Sequence, residues 1–282
     1  MIEPKHPYRG AKAVIATKHN KGFLVAPAFS IHLGLNVEEV GVDTDELGTF
    51  SGEKERVGSV REVVIKKAEL GISASGNPIG IASEGSIGAD PLLPFINSDI
   101  ELMALVDQER SLVIIESLRS TEIIAQTTKI TKDLDITKFL TKADFPNHAL
   151  ILRSEDNPVS FCIKGISDLE TLEQTIQQGL KDFPSLVLEN DLRAHFSPSR
   201  QKNIAALAEK LALRLTHLCP DCAAPGWGVI SYQKGLPCRE CAEISEDALA
   251  QEIQGCGRCE FTKVGKTLAE FIDPAQCQLC NP

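Results

Sequence analysis

The chain has 282 residues, of which 43% are hydrophobic and 24% are charged, a composition typical of a globular protein with one sizeable core and a small appendage. Its formal net charge is −10 and its isoelectric point is near 5.2. Because nucleic-acid backbones are held by clustered Lys and Arg, this charge disfavours nucleic acid as a partner. Any anionic ligand is therefore expected to be held by a local site.

The first residues, "MIEPKHPYRGAKAVIA", have neither the apolar segment nor the cleavage motif of a secretion signal. No apolar run in the sequence is long enough to cross a bilayer. The sequence therefore predicts a cytoplasmic protein without a membrane partner.

The first elements alternate between strand and helix, as they do in α/β proteins. A buried strand is predicted in "AKAVIAT", a helix in "FLVAPAFSIHLG" and a second strand in "VEEVGV". After a charged loop, the apolar residues of "SVREVVIKKAELG" recur at helical spacing, and Ser59 with Glu62 predicts a capping box at the start of this helix. The segment "PIGIASEGSIG" then predicts a strand that runs into a Gly-rich turn.

The middle of the chain is dominated by strand patterns. The runs "IELMALVD", "SLVIIESL" and "EIIAQTTKI" are closely spaced and predict antiparallel hairpins, and further strands are predicted in "HALILRS", "VSFCIKG" and "SLVLEND". Helices are predicted near 134–143, in "DLETLEQTIQQGL" and from Ser197 and Pro198 onward. The sequence thus predicts a mixed-sheet α/β main domain over residues 1–217 and a small zinc-ribbon-type domain over residues 218–282.

Eight of the nine cysteines form four Cys-x-x-Cys pairs, separated by 15, 14 and 17 residues. The paired residues are Cys219, Cys222, Cys238, Cys241, Cys256, Cys259, Cys277 and Cys280. This spacing is typical of closed structural zinc sites, so two zinc ions are expected. Sequential pairing matches the usual ribbon spacing, and a crossed arrangement of first with third and second with fourth pair is also allowed. The ninth cysteine, Cys162, is interpreted as a buried structural thiol.

The charge of the C-terminal domain bears on its partners. From Cys219 to Pro282 there are five Lys or Arg and nine Asp or Glu, a net charge of −4. Each zinc held by four thiolates adds about two further negative charges. This domain is therefore expected to contact a protein partner or to pack on the main domain, with Trp227 as a candidate contact, rather than to bind nucleic acid.

Four polar clusters follow predicted strands: "TKHNK", the loop and helix start at 43–62, "ASEGS" and "ENDLRAHFSPSR". Ligands of α/β domains collect at the carboxyl ends of strands, so the clusters are expected to converge, although each alone is equally typical of a solvated loop or a surface ion-pair network. Together they combine cations suited to phosphate oxygens with acids suited to Mg²⁺. The candidate ligand-binding residues are Thr17, Lys18, His19, Asn20, Lys21, Asp43, Asp45, Arg56, Ser86, Asp191, Arg193, His195 and Arg200.

The whole chain resembles a bacterial family of unknown function that carries "ATKH", "DTDxxGTFxGE", "ASEGS" and the terminal Cys pairs. This resemblance names no activity. More remotely, the main domain resembles the inosine triphosphate pyrophosphatase and Maf superfamily of nucleotide hydrolases. The segment "ATKHNKG" stands where that superfamily has a phosphate loop, with Asn20 and Lys21 displaced by one register.

Three later segments extend this remote resemblance and also depart from it. In "SVREVVIKKA", Glu62 and Lys67 are in register with the superfamily's helix motif, but Val63 stands at its Asn position. In "ASEGS", Glu84 is the one acid kept from an acidic motif, and Ser199 with Arg200 echoes a closing motif before the last helix.

The remote resemblance implies Mg²⁺-dependent hydrolysis of a nucleoside triphosphate or a similar phosphorylated metabolite. Glu62 and Glu84 would then hold the metal and orient water, while Lys67, Lys21 and Arg200 would stabilise charge. The alternative is a non-catalytic module that binds a phosphorylated ligand and contacts a protein partner through its zinc domain. The lost Asn and Asp positions favour this alternative, whereas the number of acids favours the enzyme.

Overall fold

The computed structural model describes residues 6–18, 20–43, 58–132, 134–155 and 160–282. Its first sheet is mixed, as the sequence predicts. The five strands of this sheet are β1 (Lys12–Ala16), β2 (Asn36–Val40), β3 (Ile79–Ala89), β4 (Asn97–Asp107) and β5 (Leu112–Ser120). Their order is β2-β1-β3-β4-β5, in which β1 runs parallel to β2 and β3, and the β3–β4 and β4–β5 pairs are antiparallel.

Helices cover both faces of this sheet. The helices of the chain are α1 (Gly22–Leu33), α2 (Val60–Ser75), α3 (Thr137–Lys142), α4 (Leu169–Asp182) and α5 (Pro198–Thr216). Residues of α1 and α5 share a core with Ile81 and Met103 of the sheet, whereas α2 packs through Val64 and Ala68 against Ala82 and Ala104. Because neighbouring side chains of a strand point to opposite faces, odd-numbered residues of β3 face α1 and α5, and even-numbered ones face α2.

The local signals for these helices are confirmed. The Ser59 side chain accepts the Glu62 amide and the Glu62 carboxylate accepts the Ser59 amide, which is the predicted capping box of α2. Gly34 ends α1 in the left-handed conformation, with φ of 63°, which glycine adopts without steric cost.

The chain order places a crevice at one edge of the sheet. From β1 the chain passes through α1 to β2, and it then returns through α2 to β3 on the other side of β1. Helices α1 and α2 therefore leave the carboxyl ends of the parallel strands on opposite faces. Open α/β sheets bind ligands at the point where successive connections diverge in this way, which here lies between β1 and β3. We refer to it as the crevice, at the carboxyl ends of β1 and β3.

A second sheet is antiparallel and has its own apolar core. Its strands are β6 (Thr127–Ile130), β7 (Leu150–Ser154), β8 (Cys162–Ile166) and β9 (Leu186–Asn190), in the order β6-β9-β7-β8. Its core includes Leu150, Leu188 and Leu172 of α4. The predicted hairpin between "SLVIIESL" and "EIIAQTTKI" is wrong, because β6 pairs with β9. The amides of Ile124 and Gln126 bond to Ser199 and Asn190, residues remote in sequence, and these bonds direct the chain into the second sheet.

Residues 218–282, which we call the cysteine-rich region, contain a three-stranded antiparallel sheet. Its strands are β10 (Gly228–Pro237), β11 (Ile244–Gly255) and β12 (Thr262–Thr267), with β11 in the middle. Its glycines approach β5 closely: a Cβ added at Gly226 or Gly257 would lie 2.6 or 2.5 Å from the Ile114 side chain. Among the described residues, every helix is too short or too polar to span a membrane.

The contact between α2 and β3 gives the first prediction. A Cβ added at Gly80 would collide with the backbone oxygen of Ala68 and would lie 2.7 Å from Ile72. Gly80→Ala should therefore lower the free energy of unfolding by about 1–3 kcal/mol, as overpacking does in other cores. A Cβ added at Gly88 on the same strand would have no heavy atom of the described residues within 4 Å, so Gly88→Ala is the matched control and should change little. Equal urea midpoints for the two variants would contradict this close packing.

Candidate functional site

Lys21 lies in the crevice, just before α1. Strand β1 ends at Ala16, whereas β3 continues to Ala89, so part of the β3 edge lies beyond the end of β1. The Lys21 ammonium donates to this edge, at 3.0 Å from Ser83 Oγ and 3.5 Å from the Ser83 backbone oxygen. Within the described residues, these neutral oxygens are its acceptors, and no carboxylate forms an ion pair with it.

A buried ion pair stands on the α2 side of the crevice. Lys67 Nζ lies 2.6 Å from Glu84 Oε2, and the two side chains are 10% and 11% exposed. Lys67 comes from the buried face of α2, and Glu84 is on the face of β3 that α2 covers. Two of the three predicted catalytic residues, Lys67 and Glu84, are therefore in contact, and they form an ion pair with one another.

A second buried pair stands on the opposite face. Arg200, in the first turn of α5, donates from Nε to Glu101 Oε1 at 2.6 Å and from Nη1 to the Leu192 oxygen at 2.8 Å. Gly85 makes room for this pair, because a Cβ there would collide with both Arg200 and Glu101. In the segment Ser-Glu-Gly-Ser, Glu84 pairs with Lys67, and Gly85 leaves the space that the Arg200–Glu101 pair occupies.

The three cations act on one another through the crevice. Burial, followed by repulsion from Arg200 and then from Lys67, lowers the pKa of Lys21 to about 8, against opposing attraction from Glu101 and Glu84. Lys67 and Arg200 each have a carboxylate partner, whereas Lys21 has none among the described residues. The site therefore carries one half-buried positive charge that the described residues do not neutralise.

Asp99 and Glu101 were not among the predicted site residues, and both are fully buried on β4. They lie two residues apart, so they share the sheet face that α5 covers. Asn203 of α5 donates to Asp99 Oδ2 at 2.8 Å, while Asp99 Oδ1 and Glu101 Oε2 have no hydrogen-bond partner among the described residues. Burial and the nearby Glu101 charge raise the pKa of Asp99 to about 6. Two acids in register with the apolar residues of "SDIELMALVD" were the signal that could have found them.

Asp99 gives a prediction about stability and pH. Its folded pKa lies above its ordinary value, so its proton stabilises the fold below about pH 4, and this stabilisation is lost as the pH rises through about 6. Asp99→Asn keeps the shape of the side chain and adds an N–H group that can donate a hydrogen bond to the Glu101 carboxylate. The variant should match the wild type near pH 4 and exceed its free energy of unfolding by about 1–3 kcal/mol at pH 8.

The measurement is chemical denaturation between pH 4 and pH 8. Asp107→Asn is the matched control, because Asp107 is equally buried on β4 but is paired with Arg110. That control should be destabilised at neutral pH. An Asp99→Asn variant that is less stable than the wild type at pH 8 would contradict the assignment.

Several predicted residues lie outside this buried group. The Glu62 carboxylate is exposed and accepts from the Ser59 amide and hydroxyl at 2.8 Å, bonds that lower its pKa. Lys18 and Asp43 form an exposed ion pair at 3.4 Å, and Ser86 is exposed on β3. Thr17 is buried at the end of β1, and Asn20 is exposed with φ of 49°. His19, Asp45 and Arg56 lie outside the described residues.

Asp191, Arg193 and His195 form a separate group after β9. Arg193 Nε donates to Asp191 Oδ1 at 2.9 Å, Asp191 Oδ2 also accepts the Gly165 amide, and the His195 ring packs on Phe196. Burial, followed by the Arg193 charge, lowers the pKa of His195. Arg200 contacts this segment through the Leu192 oxygen, so the group borders the site through the backbone.

The paired cysteines form two clusters, and their arrangement is crossed. One cluster contains Cys219, Cys222, Cys256 and Cys259, and the other contains Cys238, Cys241, Cys277 and Cys280. Within each cluster all sulfur atoms lie within 4.8 Å of one another, and sulfur atoms of different Cys-x-x-Cys pairs approach to 3.6–3.9 Å. Four thiolates at about 2.3 Å from a tetrahedral ion are about 3.8 Å apart, so both clusters fit a metal. Cys162 lies on β8, outside both clusters, and is half-buried rather than buried as predicted from the sequence.

The crossed arrangement predicts which cysteines lose a metal together. Cys222→Ser with Cys256→Ser alters one cluster and should leave about one metal ion per chain. Cys222→Ser with Cys241→Ser alters both clusters and should reduce the content of both sites. Elemental analysis of the purified variants measures this, and sequential pairing would reverse the two results.

The comparison with family models agrees with the resemblance to a family of unknown function. A family model described as Domain of unknown function (DUF6671) matches residues 67–282, which include both cysteine clusters. No curated protein matches the chain. Among solved structures, the chain is similar to a nucleoside-triphosphatase, dITP/XTP pyrophosphatase, from Mycobacterium abscessus, with 15% identity and a TM-score of 0.27 over 38% of this chain and 70% of that one.

Proposed function

We propose that this chain, which belongs to the DUF6671 family, binds a phosphorylated metabolite such as a nucleotide in the crevice at the carboxyl ends of β1 and β3. The observation that carries the proposal is the Lys21 ammonium, which hydrogen-bonds to neutral oxygens of Ser83 and stands near Lys67 and Arg200. Even a half-buried cation is costly to the fold when it has no counter-ion. An anionic ligand would supply the missing charge.

The ligand is held by side chains rather than by the amides of α1. Amides at a helix N-terminus commonly bind phosphate. Here the first amide of α1, at Gly22, donates to Glu39 Oε2 at 2.9 Å, and that carboxylate would repel a phosphate. The flexible side chains of Lys21, just before α1, and of Lys67, on the α2 side of the crevice, are the donors suited to phosphate oxygens.

Binding without a metal-dependent step is the function that the described residues support best. Among them, the groups of three or more His, Cys, Asp or Glu side chains spaced to hold one ion are the two cysteine clusters. The carboxylate of Glu62 is engaged by Ser59 and that of Glu84 by Lys67. These residues do not fit a magnesium site, and we assign no magnesium-dependent step to them.

One observation favours hydrolysis as a second candidate. Glu84 is a nearly buried carboxylate in the same crevice as Lys21, and its partner Lys67 is a flexible cation. A phosphate that attracted Lys67 would release Glu84 to accept a proton from water. Release of phosphate or pyrophosphate from a nucleotide panel, with and without Mg²⁺, tests this candidate, and Glu84→Gln should abolish the release.

The binding proposal predicts opposite effects of Lys21 on the free and ligand-bound protein. Lys21→Met removes the uncompensated charge, so the ligand-free protein should gain about 1–3 kcal/mol of stability. Stabilisation by the ligand should be lost. For the wild type, affinity should fall from pH 7 to pH 9, because Lys21 with a pKa of about 8 loses its proton, whereas the variant should show little pH dependence.

Thermal melts and calorimetry with nucleoside mono-, di- and triphosphates, sugar phosphates and inorganic phosphate provide the measurement. Lys12→Met is the control, because Lys12 is an exposed β1 lysine paired with Glu38 at the opposite end of the strand. If no compound of the panel binds, the proposal is wrong. If a ligand stabilises Lys21→Met as much as the wild type, the ligand does not bind in the crevice.

We further propose that both cysteine clusters hold zinc in a structural role. Eight thiolates occupy all four positions of two tetrahedra, which leaves no open coordination position. The free energy of binding would then contribute to folding of the cysteine-rich region. Elemental analysis of the reduced protein should give about two zinc ions per chain.

A further inference from the structure

We propose that a groove in the cysteine-rich region is a docking site for an extended, basic segment of a partner protein. The groove has a volume of about 590 Å³ and lies between the start of β11 and the last cysteine pair. It is separate from the crevice, and the inference does not depend on the ligand proposed there.

The walls of the groove combine apolar and acidic side chains. Ile272 is buried in it, whereas Ile244 and Leu279 are 54% and 65% exposed. Glu243, Glu246 and Asp247 also line it, and the described residues that form its lining include no Lys or Arg. Exposed apolar side chains of this size rimmed by charge are typical of sites that bind another protein.

The acids of the groove are largely available to a partner. Asp247 pairs with Lys234 at 3.1 Å, and both of these side chains are more than half exposed. Glu243 and Glu246 form no ion pair within the described residues. Cys277 of the second cluster also lines the groove, and four thiolates around a divalent ion add about two negative charges there. Charge complementarity therefore selects a segment rich in Lys or Arg.

The backbone of β11 indicates that the occupant is extended. Strand β12 pairs with β11 from Gln251 to Gly255. In residues 244–249, the register partners among the described residues are those of Ile244, Ser245 and Leu249, and all three lie in β10. The edge of this half that has no β12 partner begins with residues 244–247, which line the groove. A peptide strand can add to such an edge by main-chain hydrogen bonds, with alternate side chains entering the groove.

The test uses the full chain and a fluorescein-labelled peptide of alternating Lys and Leu or Val residues. Fluorescence anisotropy should show saturable binding, and Glu243→Gln with Glu246→Gln should weaken it by about fivefold or more. Glu252→Gln with Glu260→Gln removes the same charge elsewhere in the cysteine-rich region and should have a much smaller effect. Leu279→Ser should also weaken binding, with metal content measured to verify that the clusters are intact.

Two matched peptides test the mode of binding. A peptide with Glu in place of Lys should not bind, and one with alternate backbone amides N-methylated should bind weakly because it cannot pair as a strand. Equal binding of the N-methylated peptide, or equal losses in both double variants, would overturn the proposal. A dimer in sedimentation velocity that the Glu243/Glu246 variant dissociates would also overturn it, because the occupant would then be a second copy.

Discussion

The ion pair between Arg200 and Glu101 connects the parts of the molecule that make the crevice. It joins the first turn of α5 to the middle of the mixed sheet, with the two side chains 3% and 0% exposed. Removing two charges from water costs several kcal/mol, which a buried pair recovers only when its geometry and its additional hydrogen bonds are good. Here Gly85 provides the space and the Leu192 oxygen provides a further acceptor. The pair therefore fixes where α5 starts on the sheet more than it contributes to stability.

Helix α5 transmits this constraint in both directions. At its first turn, the Ser199 hydroxyl accepts the Ile124 amide and the Ser199 amide donates to His148 Nε2, so the second sheet is tied to the same turn as Arg200. Near its end, Arg214 donates to Glu116 of β5 and to the Gly226 oxygen of the cysteine-rich region. The position of a single helix thus sets the crevice, the second sheet and the docking of the cysteine-rich region. A change at its first turn is expected to be felt in all three.

Signals within a few residues of one another predicted the structure well, and contacts between remote residues were largely missed. Ser59 with Glu62 indicated the start of α2 because both partners of that capping box lie in one turn. A second role for Glu62, as a catalytic metal ligand, was inferred from its place in a motif. In the structure its carboxylate instead accepts the Ser59 hydrogen bonds of the predicted capping box. Asp99 with Asn203 and Arg200 with Glu101 are about a hundred residues apart, and no periodicity in the sequence reports such pairs. The placement of β6 was missed for the same reason.

The cysteines show the same limit in a sharper form. Two thiolates from one Cys-x-x-Cys turn occupy half of a tetrahedron, and the spacing fixes that half without selecting its complement. The choice is made by β10 and β11, whose antiparallel pairing places Gly228 opposite Gly255 and so brings the first and third cysteine pairs to one end of the sheet. The second and fourth pairs then meet at the other end, where the backbones of Cys238 and Ile272 form an isolated parallel β-bridge. Because the two clusters lie at opposite ends of one sheet and share no ligand, loss of a metal from one cluster would loosen that end of the sheet and leave the four ligands of the other cluster in place.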